Sequence, residues 1–202
     1  MSDQGEPTAR DAILSAVRAA RPPAVARPSP REKFVAPSTG EPSLLDAFVA
    51  AATAGGAQVV VGSNGDVARL ALGAGAEPRQ VLSAVAEVGS TIAMPTDPHA
   101  LATLDHFVCE ADLGVAENGA VWIAPENSVH RAALFLATRV TIVVPASSIV
   151  PTLHEAYERI DLRARTFGVF VAGPSKTADI EQSLVVGAHG PKELTMIVTS
   201  PH

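Results

Sequence analysis

The strongest constraint on this chain is a series of short apolar runs that alternate with segments of helical periodicity. Gln58-Val-Val-Val61, Leu104 to Cys109, Val121 to Ala124, Thr141-Ile-Val-Val144, Val169-Phe-Val171 and Leu194 to Val198 are rich in β-branched residues and too short for buried helices. Such runs read as short buried strands. Gln80 to Ala86 fits either strand or helix; its alternation is imperfect, and strand is the favoured reading. Between the runs lie helix signals. Thr8-Ala-Arg-Asp11 forms a capping box with Asp in place of Glu, and Ile13, Leu14 and Val17 continue one face to about Ala20. Ser43 to Asp46 repeats the pattern, and Gly55-Gly56 stops a helix over Leu44 to Ala54. After turn residues Gly62 to Gly65, Asp66 is expected to cap a helix through Leu72. Ser148 to Ile160, with Leu153, Ala156, Tyr157 and Ile160 on one face, and Ala178 to Val186 complete the helices. The expected architecture is α/β: an open, mostly parallel sheet with flanking helices.

At 202 residues the chain makes one domain of ordinary size, and with 47% apolar but only 4% aromatic residues its core must be mostly Ala, Val, Leu and Ile. Arg21 to Pro30 is too rich in proline for helix. It divides the chain into a helical arm (1–20), a proline-rich linker (21–42) and an α/β domain (43–202). The arm can pack on its own domain or join copies into a homo-oligomer.

Charge and cysteine content exclude several functions. A net charge of −6 and a pI near 5.5, with no dense Lys/Arg cluster, argue against nucleic acid as partner. No apolar run reaches the roughly 18 residues of a membrane span. Asp3, Glu6 and Asp11 do not suit a secretory leader, so a soluble, cytoplasmic protein is expected. The single cysteine, Cys109, can form no intrachain disulfide and cannot alone hold an iron–sulfur cluster or structural zinc. In His106-Phe-Val-Cys109 it reads as a buried, inert thiol. His99, His106, His130 and His154 lack metal-ligand spacing, so no metal site is expected. His130-Arg131, after Asn127-Ser128, reads as a solvated helix start, and Trp122 as core.

Chemistry is densest in Gly173-Pro-Ser-Lys-Thr-Ala-Asp-Ile-Glu181 and Gly187-Ala-His-Gly-Pro191. An apolar run, Phe167 to Ala172, turning on Gly173-Pro174 into a helix would place free N–H groups and a helix dipole at one point, an anion site. Ser175 and Thr177 can donate to the anion and Lys176 adds charge. The glycine spacing of a Walker loop is missing. Equally, Ser175 or Thr177 can merely cap the helix, with Asp179 and Glu181 in its first turn. His189, set between Gly187 and Gly190, can serve as acid, base or donor, or simply bond to backbone. In Ala116-Glu-Asn-Gly-Ala-Val-Trp122, Glu117 can act as base, nucleophile or clamp beside Asn118 and Gly119; a plain hairpin turn on Asn118-Gly119 explains the same residues.

The C-terminal motif resembles the signature of the LUD-domain family, the lactate-utilization proteins of the LutC/YkgG type. The N-terminal helix with Arg10, Ile13 and Leu14, followed by a proline-rich stretch, is similar to that family's start. Where the family has Ala-Glu-Thr-Gly-Thr, this chain has Ala116-Glu117-Asn118-Gly119-Ala120 and so lacks both hydroxyls. The resemblance implies a fold like that of the NagB/RpiA/CoA-transferase superfamily. It also implies an accessory role in oxidising L-lactate to pyruvate, with iron–sulfur clusters on partner proteins and none on this chain. A small carboxylate or phosphate is the expected ligand. The alternative is a stand-alone isomerase- or transferase-like enzyme in which Glu117 and His189 flank an anion held at Ser175 and Thr177.

Overall fold

A computed structural model describes residues 8–23, 43–72, 80–164, 166–177 and 185–200. The chain divides into two compact units, Met1–Ala36 and Pro37–His202. In the first, helix α1 (Ala9–Ala19) begins with the expected capping box: Thr8 accepts from the Asp11 N–H and the Asp11 carboxylate accepts from the Thr8 N–H.

The second unit contains, in order, α2 (Leu44–Ala54), β1 (Gln58–Ser63), α3 (Val67–Leu72), β2 (Val81–Ser83), β3 (His106–Glu110), β4 (Leu113–Val115), β5 (Ala120–Ile123), α4 (Ser128–Leu136), β6 (Arg139–Pro145), β7 (Ile149–Val150), α5 (Leu153–Arg159), β8 (Val169–Val171), β9 (Lys176–Thr177), β10 (Val185–Val186) and β11 (Glu193–Ser200). Five strands form a parallel sheet in the order β1-β11-β6-β3-β2. This is the expected open sheet with helices on its faces.

Alternation along the central strands sorts their side chains between two apolar layers. Val140, Ile142 and Val144 of β6 and Leu194, Met196 and Val198 of β11 join Phe48 and Ala52 of α2 and Ala133 and Leu134 of α4. Val143 and Ile197 point the other way, with Val67 and Ala71 of α3 and Val81 of β2. Both faces are covered, so the strands read as unbroken apolar runs in the sequence.

A second sheet, ordered β7-β4-β5-β8, is mixed: β4 and β5 form an antiparallel hairpin, β8 pairs antiparallel with β5, and β7 parallel with β4. Val121, Ile123 and Ile149 pack into the main core. Leu113, Val115, Trp122 and Val150 instead pack with Ala156 of α5.

Two expected helices are corrected. The segment 148–160 is not one helix: Ile149-Val150 is β7, and α5 starts only at Leu153. Pro151 explains the break, since it drives the residue before it into extended backbone. Thr152 then caps α5 by accepting from the Glu155 N–H at 3.3 Å. The helix expected over Ala178 to Val186 is replaced at its described positions by strand pairing. Thr177 pairs with Val185 and Lys176 with Val186; residues 178–184, including Asp179 and Glu181, lie outside the described set. Asp66 does not simply cap α3. It ends a short 3-10 turn, accepts from the Ser63 hydroxyl at 2.8 Å and pairs with Arg69 at 2.9 Å.

Candidate functional site

The two halves of the C-terminal motif are folded against each other by backbone hydrogen bonds. The Ser175 N–H donates to the Pro191 carbonyl and the Gly187 N–H to the Ser175 carbonyl, both at 2.9 Å. A Cβ on Gly190 would lie 3.1 Å from the Ser175 Cβ, so the His189-Gly190 loop rests directly on Ser175. Around this knot is a pocket of about 280 Å³ that includes Gly173, Ser175, Lys176, His189, Gly190 and Phe135 in its lining. Phe135 is 42% exposed. The sequence reading missed this apolar wall, because Phe135 sits on α4, far from the motif along the chain.

The premise of a helix N-terminus at Ser175–Thr177 is not met, since Lys176 and Thr177 are strand. The dipole and free N–H groups of a helix start are therefore not what the motif supplies. Lys176 is also part of the frame, because its ammonium donates to the Gly55 carbonyl at the C-terminal end of α2. A cation there complements the helix dipole and satisfies a terminal carbonyl.

The Glu117 cluster lies at the neighbouring end of the same strand pair. Val121 pairs with Val171, with Gly119 two residues before the one and Gly173 two residues after the other. Both glycines press on the last turn of α2. A Cβ on Gly119 would lie 2.2 Å from the Ala52 nitrogen, and one on Gly173 would lie 2.4 Å from the Gly55 carbonyl oxygen. Their φ values, 67° and 116°, are also disfavoured for any other residue. Backbone is thus gathered tightly where the two motifs meet.

Their side chains diverge. A Glu117 carboxylate oxygen accepts from the Leu153 N–H at 2.9 Å, holding the first residue of α5, and the Glu117 N–H donates to the Pro151 carbonyl at 3.0 Å. Asn118 accepts from the Ala120 N–H at 3.0 Å, a local turn contact. The hairpin reading of Asn118-Gly119 holds in a longer form: four residues, 116–119, join β4 to β5, and the Gly119 N–H donates to the Val115 carbonyl.

Among the other expectations, Cys109 is buried, and desolvation, with Glu110 nearby, pushes its thiol up to about 12, which makes it unreactive. Trp122 is core. His106 is buried, sharing a hydrogen bond of 2.9 Å with the Thr141 hydroxyl, and desolvation lowers its pKa to about 4. His130 departs from its reading. It stands in the first turn of α4, as expected, but is buried rather than solvated. Arg131 is exposed and lies over the Phe167 ring at 5.3 Å. Among the described residues no three His, Cys, Asp or Glu side chains are placed to hold a metal ion. No helix among them is long and apolar enough to cross a membrane.

Known proteins can be set beside this geometry. Lactate utilization protein C of Geobacillus kaustophilus is 36% identical over 96 residues, and that of Bacillus subtilis 35% identical over 97. Each match covers 45% of this chain and 40% of the relative, so the likeness spans well under half of the curated proteins. A crystal structure of a DUF162 family protein from Deinococcus radiodurans superposes with a TM-score of 0.59 at 21% identity, covering 77% of this chain and 96% of that one. It shares the fold. The LUD domain matches residues 80–199, which run from β2 through β11 and take in both candidate motifs, and the chain belongs to the LUD-domain family.

Proposed function

We propose that this chain is an accessory subunit of an iron–sulfur-dependent system that oxidises L-lactate to pyruvate in the cytoplasm. It docks a cluster-bearing partner and holds a small carboxylate or phosphate at the pocket beside Ser175 and His189. The observation that carries this reading is the likeness to proteins named Lactate utilization protein C within a shared LUD domain. The chemistry of the chain is compatible with it. One buried thiol, held protonated, offers no ligand set for a cluster, so electrons from lactate would pass through a partner protein or a bound organic cofactor. The candidate pocket combines exposed Phe135 with the polar His189 loop, a pairing suited to a small anion or to the edge of a partner.

Deleting the gene tests the reading: growth on L-lactate should fail, growth on pyruvate should persist, and the tagged chain should copurify with an iron–sulfur protein. Normal growth on lactate after deletion would overturn it. The stand-alone enzyme, with Glu117 and His189 flanking an anion at Ser175 and Thr177, has less support, because the Glu117 carboxylate is engaged at the start of α5. It would require Glu117→Gln to abolish a turnover that the purified chain performs by itself.

A further inference from the structure

Strand β8 is the outer strand of the second sheet: β5 pairs with one side of it, and no strand among the described residues pairs with the other. The hydrogen bonding of β5 tells which β8 residue faces outward. Trp122 turns its backbone toward β4, its carbonyl accepting from the Asp112 N–H at 2.9 Å, so Val121 and Ile123 turn theirs toward β8. Val171 and Val169 answer them, and Phe170 between is left with its N–H and C=O directed away from the sheet. Trp122 and Phe170 then form a pair without mutual backbone bonds, the kind whose side chains come closest. Their ring centroids lie 4.8 Å apart. A free strand edge is a template for another strand.

The pocket beside Ser175 runs along this edge. Residues 169–173 line it in succession. Side chains alternate between the faces of a strand, so an unbroken series meets one pocket only along the backbone edge. Leu134 and Phe135 of α4 wall it, and Ser175 and His189 lie beyond the end of β8. The chain has six Phe, one Trp and one Tyr, and five of these aromatic residues gather here. Trp122 and Tyr157 pack on Phe170, while Phe135 meets Phe167 with ring centroids 6.5 Å apart. Aromatic side chains are enriched in protein interfaces. The β8 of a second copy, sunk between the same walls, cannot reach this edge; a slender extended segment can.

Charge decides what kind of segment. In a chain of net charge −6, the described lining of this pocket holds Lys176 and His189 but no Asp or Glu. Arg131 lies over the Phe167 ring that meets Phe135. The Ser175 hydroxyl and the His189 ring have no hydrogen-bond partner among the described residues, so both can donate into the pocket. We propose that β8 receives the extended C-terminal segment of a partner protein as an added strand. Backbone bonds to the Phe170 N–H and C=O hold it, an apolar side chain rests on Phe135, and the terminal carboxylate accepts from Ser175 and His189. This rests on the partner-docking role proposed above and gives the carboxylate of that pocket a source, the end of the partner's chain.

The purified full chain is panned against a random heptapeptide library with free C termini, and a selected peptide is measured by fluorescence polarization. Its free acid should bind saturably and shift the Phe170 amide and the His189 ring in NMR spectra. The C-terminal amide should bind about tenfold more weakly, and so should the peptide N-methylated at the residue that pairs with Phe170. Phe135→Ala, at a half-exposed position that leaves the fold intact, should weaken the acid about fivefold. Selection of no peptide, equal binding of acid and amide, or undiminished binding of the N-methylated form would each overturn the proposal. Protection of the Phe170 amide by self-association without peptide would overturn it in favour of a second copy. Peptide binding together with normal growth of the deletion strain on lactate would uphold this docking mode and remove the lactate role. Copurification with an iron–sulfur protein that survives excess peptide would uphold that role and overturn the docking mode.

Discussion

Two pockets among the described residues, one beside Ser175 and one of about 160 Å³ at the carboxyl ends of β2 and β3, are built in opposite ways. Around Ser175 the polar groups are largely committed to the fold: the Ser175 backbone bonds in both directions, Lys176 caps α2, and the neighbouring Glu117 holds α5. At the ends of β2 and β3 the polar groups are uncommitted: Glu110, Asp112 and Glu126 form no ion pair among the described residues. Buried His130, whose Nδ1 accepts from the Asn127 amide nitrogen, keeps an Nε2 donor without a partner there. Density of polar residues in the sequence therefore does not measure how much chemistry remains available. What counts is the hydrogen-bonding capacity left over after folding.

Several substitutions sharpen this contrast, from large effects to small. Gly119→Ala should destabilise the protein by roughly 3 kcal/mol in urea unfolding, because strained φ and a backbone collision add up. Gly65→Ala, whose Cβ would meet nothing nearer than Ser63 Oγ at 3.9 Å, should stay within about 0.5 kcal/mol. Similar costs for the two would break the claim that the Glu117 hairpin is pinned to α2.

Next comes pH. His106 has a folded pKa of about 4 against 6.5 unfolded, so below pH 6.5 the unfolded chain takes up a proton that the folded one refuses. Stability should then fall as pH drops, levelling only below about 4. Between pH 7 and pH 4.5 the wild type should lose roughly 2 kcal/mol more than His106→Gln, measured by urea unfolding at each pH. His130 is shifted in the same direction by burial, so the variant keeps some slope.

The two histidines also test satisfaction directly. Thr141→Val strands His106 Nε2 and should cost about 1–2 kcal/mol. His130→Phe removes a donor that was already stranded and should stay within about 1 kcal/mol despite losing the Asn127 contact. A larger loss on His130→Phe than on Thr141→Val would mean that His130 is not held against its own hydrogen-bonding needs. Smallest of all, Lys176→Met should cost about 0.5 kcal/mol by thermal unfolding while leaving growth on lactate intact. Loss of growth without loss of stability would instead move Lys176 from the frame into the proposed lactate function.

Much of the fold was legible because it follows from local periodicity. The capping box at Thr8, the side-chain cap of Ser43, the apolar runs of β1, β3, β6 and β11 and the stop at Gly55 all act within one turn or one strand. Two signals were present but outweighed. Pro151 and the Thr152-Leu-His-Glu155 capping pattern should have split the 148–160 helix, and the paired β-branched residues Val185-Val186 favoured strand over helix. The second sheet was less legible, since β7 and β8 are short and their partners lie elsewhere in the chain.

The sequence by itself determined an α/β domain with a parallel sheet rich in Val and Ile, one inert cysteine and a negative charge, because composition and periodicity are local or additive properties. Only the tertiary structure decided which polar groups stay free. The distance from Lys176 to Gly55, from Glu117 to Leu153, or from His130 to any acceptor depends on residues far apart in the chain. Whether a buried hydrogen-bonding group is satisfied is settled by packing, after every local preference has been met.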